Sequence, residues 1–330
     1  MLLSICIPSY NRIHKIYPVI SSLLSLKSND FEVVVVDNCS TQDLSPILSI
    51  KDKRFRLIQR EIPVYGTQSV SECLKYGMGC YSLLCLDKDW VDARYLNEFL
   101  ECLKQHKEIV GGICAQNKKD SNFNIQIEIN DPIIKFGYLN KHPSGSFYKT
   151  EVLKKIFNDI QKWEIMDPFC YDLITSKCST YGPMMNYNKK LIFLETIEDS
   201  LNIRSLSFKK ETKTLFFYPQ NRIEEYSRQV EHLSSLPIKK NVKSQLSKII
   251  YKRTLSAVSF DYLYIMKTKW ICDHYNIETR KVSVSDMRGN ISKLNSCFLQ
   301  KENNLNKFYK YLLMSYCYLK FNAKVFLHKI

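Results

Sequence analysis

The chain has 330 residues, 45% of them hydrophobic and 12% aromatic, which predicts a globular protein with a sizeable core. No run of 18 or more apolar residues occurs, so no transmembrane helix is expected. The formal net charge of +15 is uneven, because residues 215–330 hold 20 Lys and Arg against 8 Asp and Glu. This excess indicates an anionic partner (nucleic acid, phosphate groups or a membrane surface), or else a solvated charged face.

Twelve cysteines are scattered through the sequence without a C-x-x-C pair. This pattern predicts free thiols in a reduced cytosol and excludes a cysteine zinc site. The first strand-like run starts at Leu2 without a basic leader or a cleavage site, so no signal peptide is expected. We therefore expect a cytoplasmic protein.

The first hundred residues alternate between two kinds of segment. Apolar, β-branched runs predict strands at residues 2–8, 31–37, 54–60 and 80–87. Helical periodicity predicts helices at residues 12–26, 67–76 and 93–106. Strands and helices alternating at this spacing predict a parallel α/β sheet with right-handed crossovers.

The composition changes at about residue 206, where Lys, Tyr, Asn and Leu become dominant and the periodicity is helical throughout. We predict a basic, mainly helical C-terminal region at residues 206–330. Within it, residues 308–329 either lie in the plane of a membrane interface with their lysines towards anionic headgroups, or pack as a core helix of a small bundle.

Three polar clusters follow directly after predicted strands, at residues 8–12, 37–40 and 87–89. Because ligands of parallel α/β sheets bind outside the carboxyl ends of the strands, these clusters should converge on one crevice. No G-x-G-x-x-G follows the first strand, and neither a P-loop nor a G-x-S-x-G motif occurs, which argues against a dinucleotide, a P-loop nucleotide or a hydrolase nucleophile. The D-x-D of Asp87 and Asp89 instead suits a hard divalent cation such as Mg²⁺ or Mn²⁺.

The three motifs "SICIPSYNR" (4–12), "VVVVDNCST" (33–41) and "LLCLDKDW" (83–90), in this order and spacing, resemble the family 2 glycosyltransferases. The resemblance covers roughly residues 1–200. It implies a GT-A fold, which is a Rossmann-like, mainly parallel sheet flanked by helices. We thus expect a catalytic domain at 1–205, with a nucleotide-binding half at about 1–110 and an acceptor-side half at about 111–205.

The resemblance also implies roles for residues at the predicted crevice. Tyr10 would pack near the base of the nucleotide, Asp37 would hydrogen-bond the uracil or ribose, and Asp89 would bind Mn²⁺ or Mg²⁺ directly. The nucleotide-binding residues implied are Pro8, Tyr10, Arg12, Asp37 and Asp87. Turn formation by Pro8 and Tyr10, and helix capping by Asp37, are the structural alternatives.

An inverting transfer needs a carboxylate that removes the proton of the acceptor hydroxyl. The family supplies it from a Glu-Asp pair in a segment that residues 167–193 resemble. Asp172 is the predicted base, with Tyr171 in place of the usual Glu, and Asp167 is its rival. Simple helix capping by Asp172 is the structural alternative.

The segment "KHPSGSFY" (141–148) resembles the one that lines the acceptor side beneath the donor sugar, although it could be an ordinary strand-entry turn. The residues implied are His142, Ser144 and Gly145. Trp90 either braces the sugar or packs. Arg204 is the candidate contact of the diphosphate.

The predicted function is therefore an inverting, metal-assisted glycosyltransferase of the hexosyl- or N-acetylhexosaminyltransferase class. It would use a nucleotide-diphosphate sugar, with UDP favoured by family frequency, and a glycan or lipid-linked glycan acceptor in surface polysaccharide synthesis. The basic C-terminal region would hold it at the inner face of an anionic membrane. The alternative is a catalytically inactive GT-A-like binding or scaffold protein. Nucleic-acid binding is disfavoured, because no zinc-finger, RNP or bZIP pattern occurs.

Overall fold

The computed structural model describes residues 1–116, 125–139, 142–160, 170–195, 215 and 217–327. The chain divides into two compact units, Met1–Thr196 and Ile197–Ile330. The first unit contains all nine strands of the described residues, and the described elements of the second unit are helices. The predicted α/β class with a helical C-terminal region is confirmed.

The first unit is a single sheet with helices on its faces. Its strands are β1 (Leu3–Ser9), β2 (Phe31–Asp37), β3 (Phe55–Gln59), β4 (Tyr81–Leu84), β5 (Trp90–Val91), β6 (Gly111–Gln116), β7 (Ile125–Glu128), β8 (Ser146–Lys149) and β9 (Met184–Phe193). Its helices are α1 (Ile13–Leu24), α2 (Ser45–Leu48), α3 (Gly66–Glu72) with a 3₁₀ turn at Cys73–Tyr76, α4 (Ala93–Gln105), α5 (Ile133–Phe136), α6 (Thr150–Asp159) and α7 (Cys170–Cys178).

The strands are ordered β3-β2-β1-β4-β8-β6-β9-β5, with β7 also pairing with β9. The first four strands are parallel, as predicted. The second half is mixed, since β8 is antiparallel to both β4 and β6 while β6 and β9 are parallel. Every residue of β1 and β2 is buried, which explains why these runs are apolar without alternation.

Two apolar layers hold the helices against the sheet. Alternate residues of β1 serve opposite layers, with Ile5 and Ile7 in one and Cys6 in the other. The first layer also takes Ile16 of α1 and Phe99 of α4. Because β1 is fixed on both faces and both edges, the loop that follows it has a rigid base.

Strand β4 ends at Leu84, earlier than the predicted end at residue 87. Asp87 and Asp89 therefore lie in the loop that leads from β4 to the short strand β5. The loops after β1, β2 and β4 all leave the same end of the parallel strands.

The described elements of the second unit are helices. Its helices are α8 (Pro219–Ser235), α9 (Lys240–Ser256) with a π-helical turn at Ala257–Asp261, α10 (Tyr262–Lys267), α11 (Lys269–Tyr275), α12 (Val284–Lys301) and α13 (Lys307–Leu327). Among the described residues, no helix combines the length and apolarity needed to cross a bilayer.

Candidate active site

The loops after β1 and β2 are fastened together by one asparagine. Asn11 has a left-handed backbone (φ 55°), and its Oδ1 accepts hydrogen bonds from the backbone N–H groups of Thr41 (2.8 Å) and Gln42 (3.3 Å). Its own N–H donates to Ser40 Oγ at 2.8 Å. The first two predicted clusters therefore form one connected surface.

Asp87 joins the third loop to this surface. Its Oδ2 accepts the N–H of Tyr10 at 3.2 Å, and its Oδ1 lies 3.8 Å from Nη1 of Arg12. Burial raises the pKa of Asp87 to about 6, while the nearby Arg12 acts in the opposite direction. The structure thus brings Tyr10, Arg12 and Asp87 together.

Arg12 carries an unused donor at this place. The residue is 8% exposed, and its Nη1 has no hydrogen-bond partner among the described residues. A buried guanidinium N–H without an acceptor is a strong hydrogen-bond donor, suited to phosphate or hydroxyl oxygens.

Tyr10 is 42% exposed, whereas the other two predicted nucleotide contacts are buried. Pro8 is buried within β1. Asp37 is buried at the end of β2, where its two carboxylate oxygens accept hydrogen bonds from the hydroxyl and the N–H of Ser40. Asp37 therefore shapes the loop after β2, and any bond to a nucleotide would add to these.

Asp89 is held quite differently from Asp87. Its side chain has no solvent exposure. Its Oδ2 accepts the hydroxyl of Ser144 at 2.5 Å, and its Oδ1 accepts the N–H of Glu195 at 2.9 Å. Ser144 in turn accepts the N–H of Leu86 at 2.9 Å, so this hydroxyl links the acidic loop to the entry of β8.

His142 and Gly145 complete this second cluster. Nδ1 of His142 lies 3.6 Å from Oδ2 of Asp89, and burial lowers the pKa of His142 to about 4 even though Asp89 opposes the shift. The ring is therefore neutral at physiological pH. Gly145 has φ +93° and donates its N–H to the carbonyl of Leu84 at 2.8 Å, an approach that favours glycine.

The arrangement of Asp89 bears directly on the predicted cation. Mg²⁺ and Mn²⁺ need several oxygen ligands and keep open positions for water and phosphate. Here both oxygens of Asp89 are taken by Ser144 and Glu195, and the carboxylate is sealed from solvent. In the described part of the chain, no group of three His, Cys, Asp or Glu side chains is placed to hold a metal. In this arrangement, the carboxylate of Asp89 does not fit the role of a direct metal ligand.

Residues 4–163 match the family model described as "Glycosyl transferase family 2". Just under half of the chain is thus similar to the family 2 glycosyltransferases. The "Uncharacterized glycosyltransferase" of Rickettsia felis is 40% identical to it over 60 residues, which are 18% of this chain. The match spans only 10% of the length of that curated relative.

The chain also resembles solved structures in its fold. S. aureus TarS 1-349 in complex with UDP-GlcNAc has a TM-score of 0.53 at 14% identity, over 92% of this chain and 93% of that one. The same protein in complex with UDP has a TM-score of 0.52 at 16% identity, over 90% and 83%. At these identities the likeness concerns the fold, and it confirms the expected GT-A class.

The predicted base lies at the start of a helix. Asp172 is in the first turn of α7 and is 3% exposed, and its Oδ1 accepts the N–H of Leu139 at 2.9 Å. Its own backbone carbonyl accepts the hydroxyl of Ser176. The side chain thus joins α7 to the segment after α5. Asp167, the rival candidate for the base, and Arg204, the predicted contact of the diphosphate, lie outside the described residues.

Trp90 lies on β5, the short edge strand of the sheet. It pairs with Phe193 of β9, and the two rings stack 5.6 Å apart with 3° between their planes. Trp90 keeps 38% of its surface exposed, and Phe193 is its packing partner.

Sequence reasoning missed two contributors. Asn11 stands inside the quoted motif, and an asparagine directly after a strand signals a left-handed turn. Glu195 gave no local signal, since its N–H reaches Asp89 and its carboxylate pairs with Lys15 of α1. These partners are distant in sequence, so only the fold reveals them.

Proposed function

We propose that this chain moves a sugar from a nucleotide diphosphate to a hydroxyl group of a glycan or lipid-linked glycan, with inversion at the anomeric carbon. The observation that supports this is the connected surface at the carboxyl ends of β1, β2 and β4, in a family 2 domain. Ligands of parallel α/β sheets bind at this end of the strands. The acceptor would be a surface glycan presented at the inner face of a membrane.

A uridine nucleotide is the first donor to test, with a hexose or N-acetylhexosamine as its sugar. The support is that TarS, which shares the fold, has been solved with UDP and with UDP-GlcNAc. In this proposal Tyr10 packs near the base, Asp37 and Asp87 serve the uracil and ribose, and Pro8 lines the pocket. The unmet N–H of Arg12 donates to the nucleotide.

The chemical step is a single in-line displacement. The acceptor oxygen forms a bond to the anomeric carbon while the bond from that carbon to the diphosphate oxygen breaks. Asp172 takes the proton of the acceptor hydroxyl, and the departing nucleotide diphosphate carries the electron pair. Positive charge near the diphosphate, from Arg12 in this proposal, lowers the cost of that departure.

A requirement for Mn²⁺ or Mg²⁺ remains a prediction from the family resemblance. The cation could reach Asp89 only if Ser144 or Glu195 released its hydrogen bond. Nucleotide binding measured in EDTA and in Mn²⁺ therefore tests the cation separately from the nucleotide site.

An inactive GT-A-like binding protein is the second candidate. It is favoured by the buried carboxylate of Asp172, which the N–H of Leu139 already engages, and by Tyr171 at the position of the usual Glu. Such a protein would bind nucleotide without turning over any sugar.

The test is a calorimetric titration with UDP, GDP and CDP, each in EDTA and in Mn²⁺. Asp87→Asn is the site variant, and Asp92→Asn is the matched control, because Asp92 caps α4 in the same stretch. One nucleotide should bind wild type and control, raising the free energy of unfolding by about 2.7 kcal/mol at roughly a hundred times its Kd. Asp87→Asn should weaken it about tenfold or more.

Failure of all three nucleotides to bind the wild type in either buffer would contradict the donor site. Binding that Asp87→Asn leaves unchanged would contradict the role given to Asp87. Chromatography then measures whether sugar is released from the nucleotide or transferred to water. Turnover identifies the transferase, and its absence identifies the inactive candidate.

A further inference from the structure

Helix α13 is attached to the second unit along one narrow stripe. Three of its residues, Lys310, Cys317 and Phe321, are buried. Nζ of Lys310 donates to the carbonyl of Leu299 in α12 at 3.2 Å, and the ring of Phe321 lies 5.4 Å from that of Phe260. The spacing of seven and four residues places the buried side chains on one side of the helix.

The opposite side is apolar and exposed. Phe308, Leu312, Leu319 and Phe326 are 72%, 54%, 69% and 83% exposed. Their spacing of four and seven residues places them in line, about half a turn away from Cys317. A row of large apolar side chains this exposed marks an interaction surface. We call these four residues the apolar row.

Lysines border the apolar row along one flank. Nζ of Lys248 and Lys252, from α9, lie 5.6 and 5.7 Å from the ring centroids of Tyr309 and Tyr316. Lys320 of α13 also lies 4.8 Å from the ring of Tyr316. No Asp or Glu occurs from residue 303 to the end of the sequence. The surface is therefore apolar in the middle, aromatic beside it and cationic at the border.

We propose that this surface docks α13 in the interfacial plane of an anionic lipid bilayer. The apolar row would enter the boundary of the acyl chains, the tyrosines would lie at headgroup level, and the lysines would meet anionic headgroups. The charge complementarity selects this occupant over an antiparallel second copy of the chain, since that two-fold pairing would bring the lysine borders of two copies together. Ser315 and Asn322, which lie along the same side, also interrupt a coiled-coil seam.

This inference deepens the proposed function, because it supplies the surface at which a lipid-linked acceptor would be met. It can be tested without donor or acceptor, so failure of transfer and failure of docking are distinguishable. The measurement is co-sedimentation of the full chain with vesicles of phosphatidylcholine alone, or of phosphatidylcholine mixed with phosphatidylglycerol.

Wild type should bind the anionic vesicles, bind the neutral ones far more weakly, and lose affinity as salt is added. The double variant Leu319→Ser with Phe326→Ser should bind anionic vesicles at least about tenfold more weakly. Lys248→Gln with Lys252→Gln should weaken binding about fivefold for each charge removed. Ile129→Ser, which removes a side chain 70% exposed in the first unit, should bind like wild type.

The proposal is overturned if wild type does not bind anionic vesicles, or if the apolar-row variant binds as well as Ile129→Ser. Analytical ultracentrifugation provides the second readout. A wild-type oligomer that the apolar-row variant dissociates, without vesicle binding, would assign this surface to a second copy. Circular dichroism verifies that the variants fold, which their exposed positions favour.

Discussion

At the scale of single residues, Asp87 and Asp89 have separate surroundings although one lysine separates them in sequence. Asp87 faces the loop after β1, where the backbone of Tyr10 and the guanidinium of Arg12 approach it. Asp89 is enclosed by partners 55 and 106 residues further along the chain. Their repulsion is reduced because each carboxylate has donors of its own.

Asp172 gives the first prediction at this scale. Asp172→Asn should lower the single-turnover rate of transfer by about 10²- to 10⁴-fold and leave nucleotide affinity unchanged, because the amide cannot take the acceptor's proton but can still accept the N–H of Leu139. Asp167→Asn is the matched control. If Asp167→Asn loses the rate instead, the base is Asp167.

Asp92 gives the second prediction, which concerns the dependence of stability on pH. It caps α4 by accepting the N–H of Arg94 at 3.0 Å, and hydrogen bonding from the Arg94 side chain holds the pKa of Asp92 below its usual range. A carboxyl group whose pKa is lower in the folded state than in the unfolded state stabilises the fold at pH values above the unfolded-state pKa. This stabilisation is lost as the pH falls through the folded-state pKa. Asp92→Asn keeps a cap but no charge, whereas Asp92→Ala should cost about 1 kcal/mol.

Urea unfolding of these proteins from pH 7 to pH 3 measures the effect. The deficit of Asp92→Asn relative to wild type should shrink as pH falls below about 4. A deficit that stays constant over this range would show that the charge of Asp92 does not contribute. Asp92→Ala should remain less stable than Asp92→Asn throughout.

At the scale of elements, the entry of β8 positions the closed carboxylate. Gly145 has φ +93°, and a Cβ there would lie 3.1 Å from Cγ1 of Ile192 and 3.3 Å from the carbonyl oxygen of Cys114. Gly145→Ala should therefore cost about 1–3 kcal/mol of unfolding free energy. Gly289, inside α12, has nothing within 4 Å of a built Cβ.

Gly289→Ala is consequently the matched control, and it should stabilise the protein by about 0.5–1 kcal/mol. Denaturant titration of both variants gives the two free energies. Equal effects of the two substitutions would contradict the strain assigned to Gly145.

The elements also show what sequence can predict. The runs that became β1 and β2 are apolar and flanked by turn residues, so strand type and parallel pairing follow from local pattern. The antiparallel insertion of β8 between β4 and β6 does not, because it joins residues far apart in sequence. The loop motifs identified three loops that meet at one end of the parallel strands, whereas the enclosure of Asp89 depends on that distant pairing.

At the scale of the whole molecule, the solvent exposure of the twelve cysteines shows how well the core excludes solvent. All are free, nine are buried and Cys80 alone is exposed. Burial raises the pKa of Cys6 to about 12 and those of Cys73 and Cys114 well above the ordinary value, so these thiols are not nucleophilic at neutral pH.

A thiol reagent at neutral pH should therefore modify Cys80 quickly in the native protein and the nine buried cysteines only on unfolding. Cys80→Ser should remove the fast reaction. Rapid modification of several thiols in Cys80→Ser would show that the native core opens more readily than its packing suggests.

The pairing of β5 with β9 also sets an order of events during synthesis. The strands β1 to β4 can associate once residue 84 has left the ribosome, but the side chain of Asp89 and the backbone of residues 90–92 bond to residues 191–195. At roughly 5–20 residues per second, those partners follow after about 5–20 s. During that interval the nascent chain already has its four parallel strands, while its acidic loop still lacks its partners at residues 191–195.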